Sequence, residues 1–223
     1  MDTVACAWRD GEVLHESQLG LSPQGRPLHA TRLLEEVERA AAAAGGWEAV
    51  DLIAVGLGPG TFTGLRVGIS TARGLAVGLG LSVRGVCTLD ALAAGIQESQ
   101  GGVALAVLDG WRGEVFAALY EADGSRTWEP AVYKPDELAE RVAELPAPPS
   151  VAGSGAVRFR QELAQGGVRI ADDSDPIHRV AGRHVCALAA SAGGEDREGL
   201  APIYLRPPDA ERWRERDAFQ RAE

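Results

Sequence analysis

Lysine is almost absent. Among 223 residues only Lys134 carries an ammonium side chain, and 22 Lys and Arg face 32 Asp and Glu, for a net charge of −10. Affinity for a phosphate backbone comes mainly from basic side chains displacing counterions, so a chain this acidic does not grip RNA by itself. If it serves RNA, another molecule does the holding. One lysine also leaves no promising candidate for a P-loop or a Schiff base. Cysteine is equally sparse: Cys6, Cys87 and Cys186 are far apart and form no CxxC pair, which reads as small buried thiols in a reducing compartment. No apolar run approaches the roughly 18 to 20 residues of a bilayer span, and the start lacks the basic-then-apolar layout of a signal peptide. These absences predict a soluble cytoplasmic protein. What is present, 45% apolar and 24% charged residues, is the composition of an ordinary globular chain.

Extended runs at Thr3 to Trp8 and Glu12 to Gln18 flank Asp10-Gly11, a hairpin signal. Ala30, Leu33, Leu34, Val37, Ala41 and Ala44 recur at helical spacing, and Gly45-Gly46 stops them. Val50 to Leu57 reads as a strand, Gly64 to Leu79 as a helix with Thr63 as N-cap, Ser82 to Val86 as a strand, and Thr88 as the cap of a helix to about Gln97. The second half restarts with strands at Val103 to Leu108, Glu114 to Tyr120 and, after Asp123-Gly124, Arg126 to Tyr133. Helices at Pro135 to Glu144 and Val157 to Gln165, short strands at Val151-Ala152 and Val168 to Ile170, and a helix opened by Asp175-Pro176 and running to Ala192 complete it. A ribbon of strands followed by alternating helix and strand, performed twice, predicts two α/β lobes with mixed sheets flanked by helices, residues 1–101 and 102–223. The tail from Pro207 reads as a solvated helix.

The stretch Gly56-Leu-Gly-Pro-Gly-Thr-Phe-Thr-Gly-Leu-Arg66 runs from a strand into a helix. Glycine lets backbone amides approach a ligand and a helix N-terminus attracts anions, so Gly58, Gly60, Thr61, Thr63 and Gly64 outline a phosphate or nucleotide loop. The known codes fail, however. The dinucleotide pattern wants a third glycine where Thr61 stands, and no Lys occupies the Walker position. A purely structural strand-to-helix turn is the competing reading.

The same residues, Gly58-Pro-Gly-Thr-Phe-Thr-Gly-Leu-Arg-Val-Gly68 continued by Ser70-Thr-Ala-Arg-Gly-Leu-Ala76, resemble the signature of the bacterial TsaB family, also called YeaZ. His29 with Leu33-Leu34, Thr88-Leu-Asp-Ala-Leu92, Leu108-Asp109, Arg112-Gly-Glu-Val-Phe116, Gly153-Ser-Gly-Ala156 and Pro202-Ile-Tyr-Leu-Arg206 match further landmarks in order. The resemblance implies an actin-like, two-lobed fold of the sugar kinase and Hsp70 type. It also implies a non-catalytic role in making N6-threonylcarbamoyladenosine at position 37 of tRNAs that read codons beginning with A. The implied partners are TsaD, which carries the metal and transfers the group, and the small ATPase TsaE. The chain itself would need no cofactor, ATP being used by the assembled complex. Two departures stand out. The family begins with a full apolar strand leading into Asp-Thr, whereas this chain has Met1-Asp2-Thr3 directly before Val4, which leaves the position of Asp2 in doubt. Asp109-Gly110-Trp111-Arg112 places a bulky Trp where the family tends to have Ala and Arg, which would reshape the cleft.

Other chemistries find little support. His15, His29, His178 and His184 stand 14, 149 and 6 residues apart, with neither HxxxH nor HExxH. Asp172, Asp173 and Asp175 could hold Mg²⁺ through oxygens, but they also suit the positive end of a helix beginning at Pro176, with Asp175 as cap. Gly153-Ser154-Gly155 lacks the context of a nucleophile elbow. Asp109 and Glu114 straddle a turn and are either a carboxylate pair or turn residues. A free-standing ATP-dependent transferase or phosphotransferase, with phosphate on Gly58 to Gly64 and metal on Asp109 or Asp2, is therefore the rival class.

The helix from Gly64 to Leu79 argues for a partner. Leu65, Val67, Ile69, Leu75, Val77 and Leu79 spread round the cylinder with only Arg66 and Arg73 charged, and such a helix needs cover on nearly every side. Gly64, Gly68 and Ala72, with Leu75 beside them, form a row of small residues that admits another helix, from a second subunit or from residues 30 to 44 of the same chain. The resemblance places Leu33, Leu34, Val37, Gly64, Gly68, Ala72 and Leu75 at the interface used by both a homodimer and the TsaD heterodimer.

Overall fold

The computed structural model describes residues 3–20, 29–192 and 200–206, so Met1, Asp2 and the tail from Pro207 lie outside the described residues. The chain opens on a hairpin, β1 (Thr3–Arg9) and β2 (Glu12–Leu19), turned at Asp10-Gly11 with both residues at positive φ. Helix α1 (His29–Ala43) follows, then β3 (Leu52–Gly58), α2 (Phe62–Leu79) and β4 (Ser82–Cys87), a parallel βαβ unit. Helix α3 (Thr88–Gln100) leads into β5 (Ala104–Asp109), β6 (Val115–Tyr120) and β7 (Arg126–Tyr133). Then come α4 (Pro135–Ala143), β8 (Ser150–Ala152), α5 (Ser154–Arg158), α6 (Arg160–Ala164), a 3-10 turn at Pro176–His178 and α7 (Gly182–Ser191). The described strands form three sheets: β1-β2, β3-β4, and a mixed β7-β6-β5-β8.

The larger sheet is covered on both faces, and this is why β5 and β6 are uninterrupted apolar runs rather than alternating ones. On one face Ala104, Ala106, Phe116, Ala118 and Tyr120 meet Leu89, Leu92, Ala93 and Ile96 of α3. On the other Leu105, Val107, Val115, Ala117 and Leu119 meet Leu138 and Val142 of α4, with Ala156 and Leu163 beyond. Helix α3 is thus built into the core of this four-stranded sheet. Helix α7, although late in the sequence, packs against β1, β3, β4 and α3.

Five local expectations change. Helix α2 begins at Phe62, and its cap is Thr61, whose hydroxyl accepts from Gly64 N at 3.2 Å; Thr63 lies inside the first turn. Thr88 is likewise inside α3, where Cys87 occupies the cap position without a side-chain bond. The helix expected over Val157 to Gln165 is broken at Phe159 (φ −112°, ψ 35°) into α5 and α6. The helix expected from Pro176 to Ala192 yields one 3-10 turn, extended backbone at Arg179, and a fresh start at Gly182. Asp175 does cap that turn, accepting from Ile177 N at 3.0 Å. The interruption has a tertiary cause: the buried ring of His178 accepts from Gly153 N at 3.1 Å through Nδ1 and reaches Ala171 O at 3.2 Å through Nε2, which anchors the turn to the four-stranded sheet. Gly153 at φ 120° is required there, because a Cβ would lie 2.1 Å from Val107 O. The strand expected at Val168 to Ile170 is a single bridge, Val151 to Ile170.

Candidate partner interface

Helix α2 has a definite inside. Ile69, Ala72 and Ala76 are buried against Val55, Val83 and Leu200, with Leu65 beside them. Gly68 faces the same way, its Cβ position lying 3.9 Å from a Val55 methyl. Of the small-residue row read from the sequence, Ala72 is therefore core, while Gly64, Gly68 and Leu75 sit half-buried at its edge. The outside is formed by Ser70, Gly74, Val77 and Gly78, all exposed, with Val77 85% accessible. Among the described residues, a Cβ added at Gly74 or Gly78 meets nothing within 4 Å beyond the helix's own backbone. Helix α1 lies alongside α2 and presents Leu34, 54% accessible, between the half-buried Leu33 and Val37. This exposed strip is not among the residues that the sequence pattern singles out; its signal there is the i, i+4 pair Gly74 and Gly78, mid-helix glycines with no capping role.

At the N-terminal end of α2 the glycine loop is tightly built in. Pro59 is fully buried after a cis Gly58-Pro59 bond. Gly58 stands at φ 111°, and a side chain there would crowd Ile203 O and the Leu65 methyl at 3.0 Å. Ile203 N donates to Leu57 O at 2.8 Å, so the 200–206 segment runs across the end of β3. Tyr204 then stacks on Phe62, with ring centroids 5.6 Å apart, and Arg66 lies over the Phe62 ring while donating to the Tyr204 hydroxyl. Thr61 is occupied as cap, Gly60 and Thr63 are exposed, and Gly64 N is already bonded to Thr61. Arg206 pairs with Glu114, linking this segment to the four-stranded sheet.

The remaining candidates have structural partners. Asp109 accepts from Trp111 N at 2.9 Å and pairs with Arg158 at 2.7 Å, while Ser154 Oγ accepts from Asp109 N. Glu114 is held by Arg206. The two carboxylates thus serve the turn, whose Trp111 and Arg112 both stand at φ 56° with Trp111 partly exposed. Asp173 pairs with Arg160. His184, at the start of α7, lies against the Gly95 backbone and 3.4 Å from Glu98; burial, with help from Arg183, holds its pKa below the ordinary histidine value. Asp90 accepts from the Tyr120 hydroxyl at 2.7 Å and is gripped by Arg126 through both oxygens. Burial first, then the Asp90 charge, drives the Tyr120 pKa up, and the hydrogen bond to Asp90 does the same for Arg126. Among the described residues no three His, Cys, Asp or Glu side chains converge as a metal site, and no helix is long and apolar enough to cross a membrane.

Mixed sheets flanked by helices, and a strand-to-helix glycine loop locked under a returning C-terminal segment, define an actin-like α/β protein. The sequence model of the family described as TsaD, tRNA N6-adenosine threonylcarbamoyltransferase, matches residues 11–174. The tRNA threonylcarbamoyladenosine biosynthesis protein TsaB of Escherichia coli is 31% identical over 92% of this chain and 91% of its own length, and that of Bacillus subtilis is 27% identical over 71% of each. Two solved structures from Pseudomonas aeruginosa have the same fold. One, described as an uncharacterized protein similar to peptidase YEAZ, superposes with a TM-score of 0.71 at 29% identity over 89% of this chain and 92% of that one. The other, YeaZ, gives 0.67 at 29% identity over 88% and 91%. The chain belongs to the TsaB (YeaZ) family.

Proposed function

We propose that this chain is a non-catalytic partner that docks a TsaD-type threonylcarbamoyltransferase and supports formation of N6-threonylcarbamoyladenosine at adenosine 37 of tRNAs reading ANN codons. The observation that carries the reading is the outward strip of α2. Gly74 and Gly78 weaken a helix in which their small size relieves no contact with another described segment of the chain, and Val77 between them is almost fully exposed. In a helix interior each glycine costs roughly 0.5–1 kcal/mol relative to Ala, and an exposed apolar strip beside Leu34 adds an association liability. Both make sense if another helix packs closely there. The acidic charge fits a protein that reaches tRNA only through its partner.

In the same reading α1 and α2 carry Leu33, Leu34, Val37, Gly64, Gly68 and Leu75 to the rim of the interface, while Ala72 supports it from below. In isolation the same patch closes a two-fold homodimer, so self-pairing and TsaD binding compete. TsaE joins the pair, ATP is consumed by the assembled complex, this chain needs no cofactor of its own, and the setting is the cytoplasm. The rival, a free-standing ATP-dependent transferase, is less favoured because part of the phosphate-loop candidate set has structural work: Thr61 caps α2, Gly64 N is bonded to that cap, and Gly58 is buried.

The test is reconstitution of modified tRNA from TsaD, TsaE and ATP with and without this chain. Modification that depends on the chain, with no ATP turnover by the chain alone, supports the proposal. Turnover of ATP by the chain alone, or full modification in its absence, refutes it.

A further inference from the structure

The sequence separates Cys6 and Cys186 by 180 positions, yet the fold brings them together: Cys186 Sγ lies 3.9 Å from the Cys6 carbonyl oxygen. The approach is built from backbone upward. Val4 and Cys6 are on the face of β1 that meets α7, and a Cβ on Gly182 would lie 2.6 Å from Cys6 Cβ and 3.0 Å from a Val4 methyl. Glycine at 182 therefore lets the helix settle onto the strand. Cys186 is one helical turn further along the same face of α7. Both cysteines are partly exposed, whereas Cys87 is buried in the core beside Leu89.

We propose that Cys6 and Cys186 are an oxidation site, closing reversibly into a disulfide when the protein meets hydrogen peroxide or a small-molecule disulfide. With peroxide, the Cys186 thiolate attacks one oxygen, forming a sulfenic acid and expelling hydroxide. The Cys6 sulfur then displaces the sulfenic oxygen as water, with loss of its proton. Two thiols are oxidised, one peroxide is reduced and two waters leave. The pair is polarised for this order of events. The neighbouring Cys6 thiol lowers the Cys186 pKa, against burial and Glu16, while Cys186, and then burial, raise that of Cys6. The thiolate that forms first is thus the one on α7. The product ties the opening hairpin to the last described helix.

The test treats the full chain with hydrogen peroxide, quenches, denatures, alkylates and weighs it. The expected product is about 2 Da lighter before alkylation, accepts a single alkyl group, and links the Cys6 and Cys186 peptides in a non-reducing map, with dithiothreitol restoring three alkylation sites. Neither Cys6→Ser nor Cys186→Ser forms an intramolecular bridge. The oxidised chain melts higher, by roughly 5 °C or more, because the cross-link constrains the unfolded chain. Three free thiols after treatment, a bridge through Cys87 or between molecules, overoxidised Cys186 with Cys6 still free, or a lower melting temperature each overturn the proposal.

Discussion

Replacing both Gly74 and Gly78 by Ala should move folding and association in opposite directions. Among the described residues, nothing beyond the helix's own backbone comes within 4 Å of the new methyl at either position, and neither glycine stands at positive φ. The substitutions therefore remove backbone freedom from the unfolded chain without strain in the folded one. At roughly 0.5–1 kcal/mol each, the pair should stabilise the isolated chain by about 1–2 kcal/mol, which for a chain of this size raises the melting temperature by roughly 2–8 °C. Urea unfolding at a concentration low enough to keep the protein monomeric reads the first effect as a higher midpoint at constant slope. Sedimentation and titration with TsaD read the second. Methyl groups on a closely packed helix face hold the partner off, so both associations should weaken. A double variant that is no more stable than wild type refutes the claim that the monomer has no use for these glycines. One that is more stable but associates unchanged refutes the placement of the interface.

Arginine distinguishes the two sides of α2. Gly74→Arg should leave a folded monomer that fails to pull down TsaD, whereas Ala72→Arg, placed among Val55, Ile69, Val83 and Leu200, should yield little soluble protein; normal expression and circular dichroism for the latter would contradict the assignment of the core face. Tyr120→Phe removes the hydroxyl from Asp90 but leaves Arg126 in place, so it should cost about 1.5 kcal/mol in urea unfolding, at the low end for a bond to a charged group; no loss would mean that the Arg126 pairing alone satisfies the carboxylate. For His184 the folded pKa lies below the unfolded one near 6.5. As pH falls through that value the unfolded chain takes up the proton first, so stability declines below about pH 6.5 and is unaffected well above it. His184→Gln should flatten the urea midpoint between pH 7.5 and 5.5 relative to wild type, and parallel pH profiles would exclude His184 as the cause.

Much of the element order was legible because it rests on local rules. The Asp10-Gly11 hairpin, the Gly45-Gly46 stop, the strands β5, β6 and β7 and the Pro135 helix start depend on turn chemistry and periodicity within a few residues. The failures share one origin. A helix was expected to continue from Pro176 to Ala192 because nothing nearby forbids it, but the burial of His178 against Gly153 and Ala171 stops it after one turn. Thr63 and Thr88 looked like caps, yet where a helix begins was decided by how β3 and β4 end.

The proposed interface was half legible for the same reason. Sequence by itself determined that α2 is apolar and glycine-rich on most sides, that the chain carries a net charge of −10, and that the glycine loop fits no phosphate code, since these follow from residue types and spacing. Tertiary structure alone decided which side faces inward, because that depends on how the helix is rolled on β3. It put Ala72 in the core, left Gly74, Val77 and Gly78 outside, and brought Cys6 against Cys186, contacts between residues that no local pattern relates.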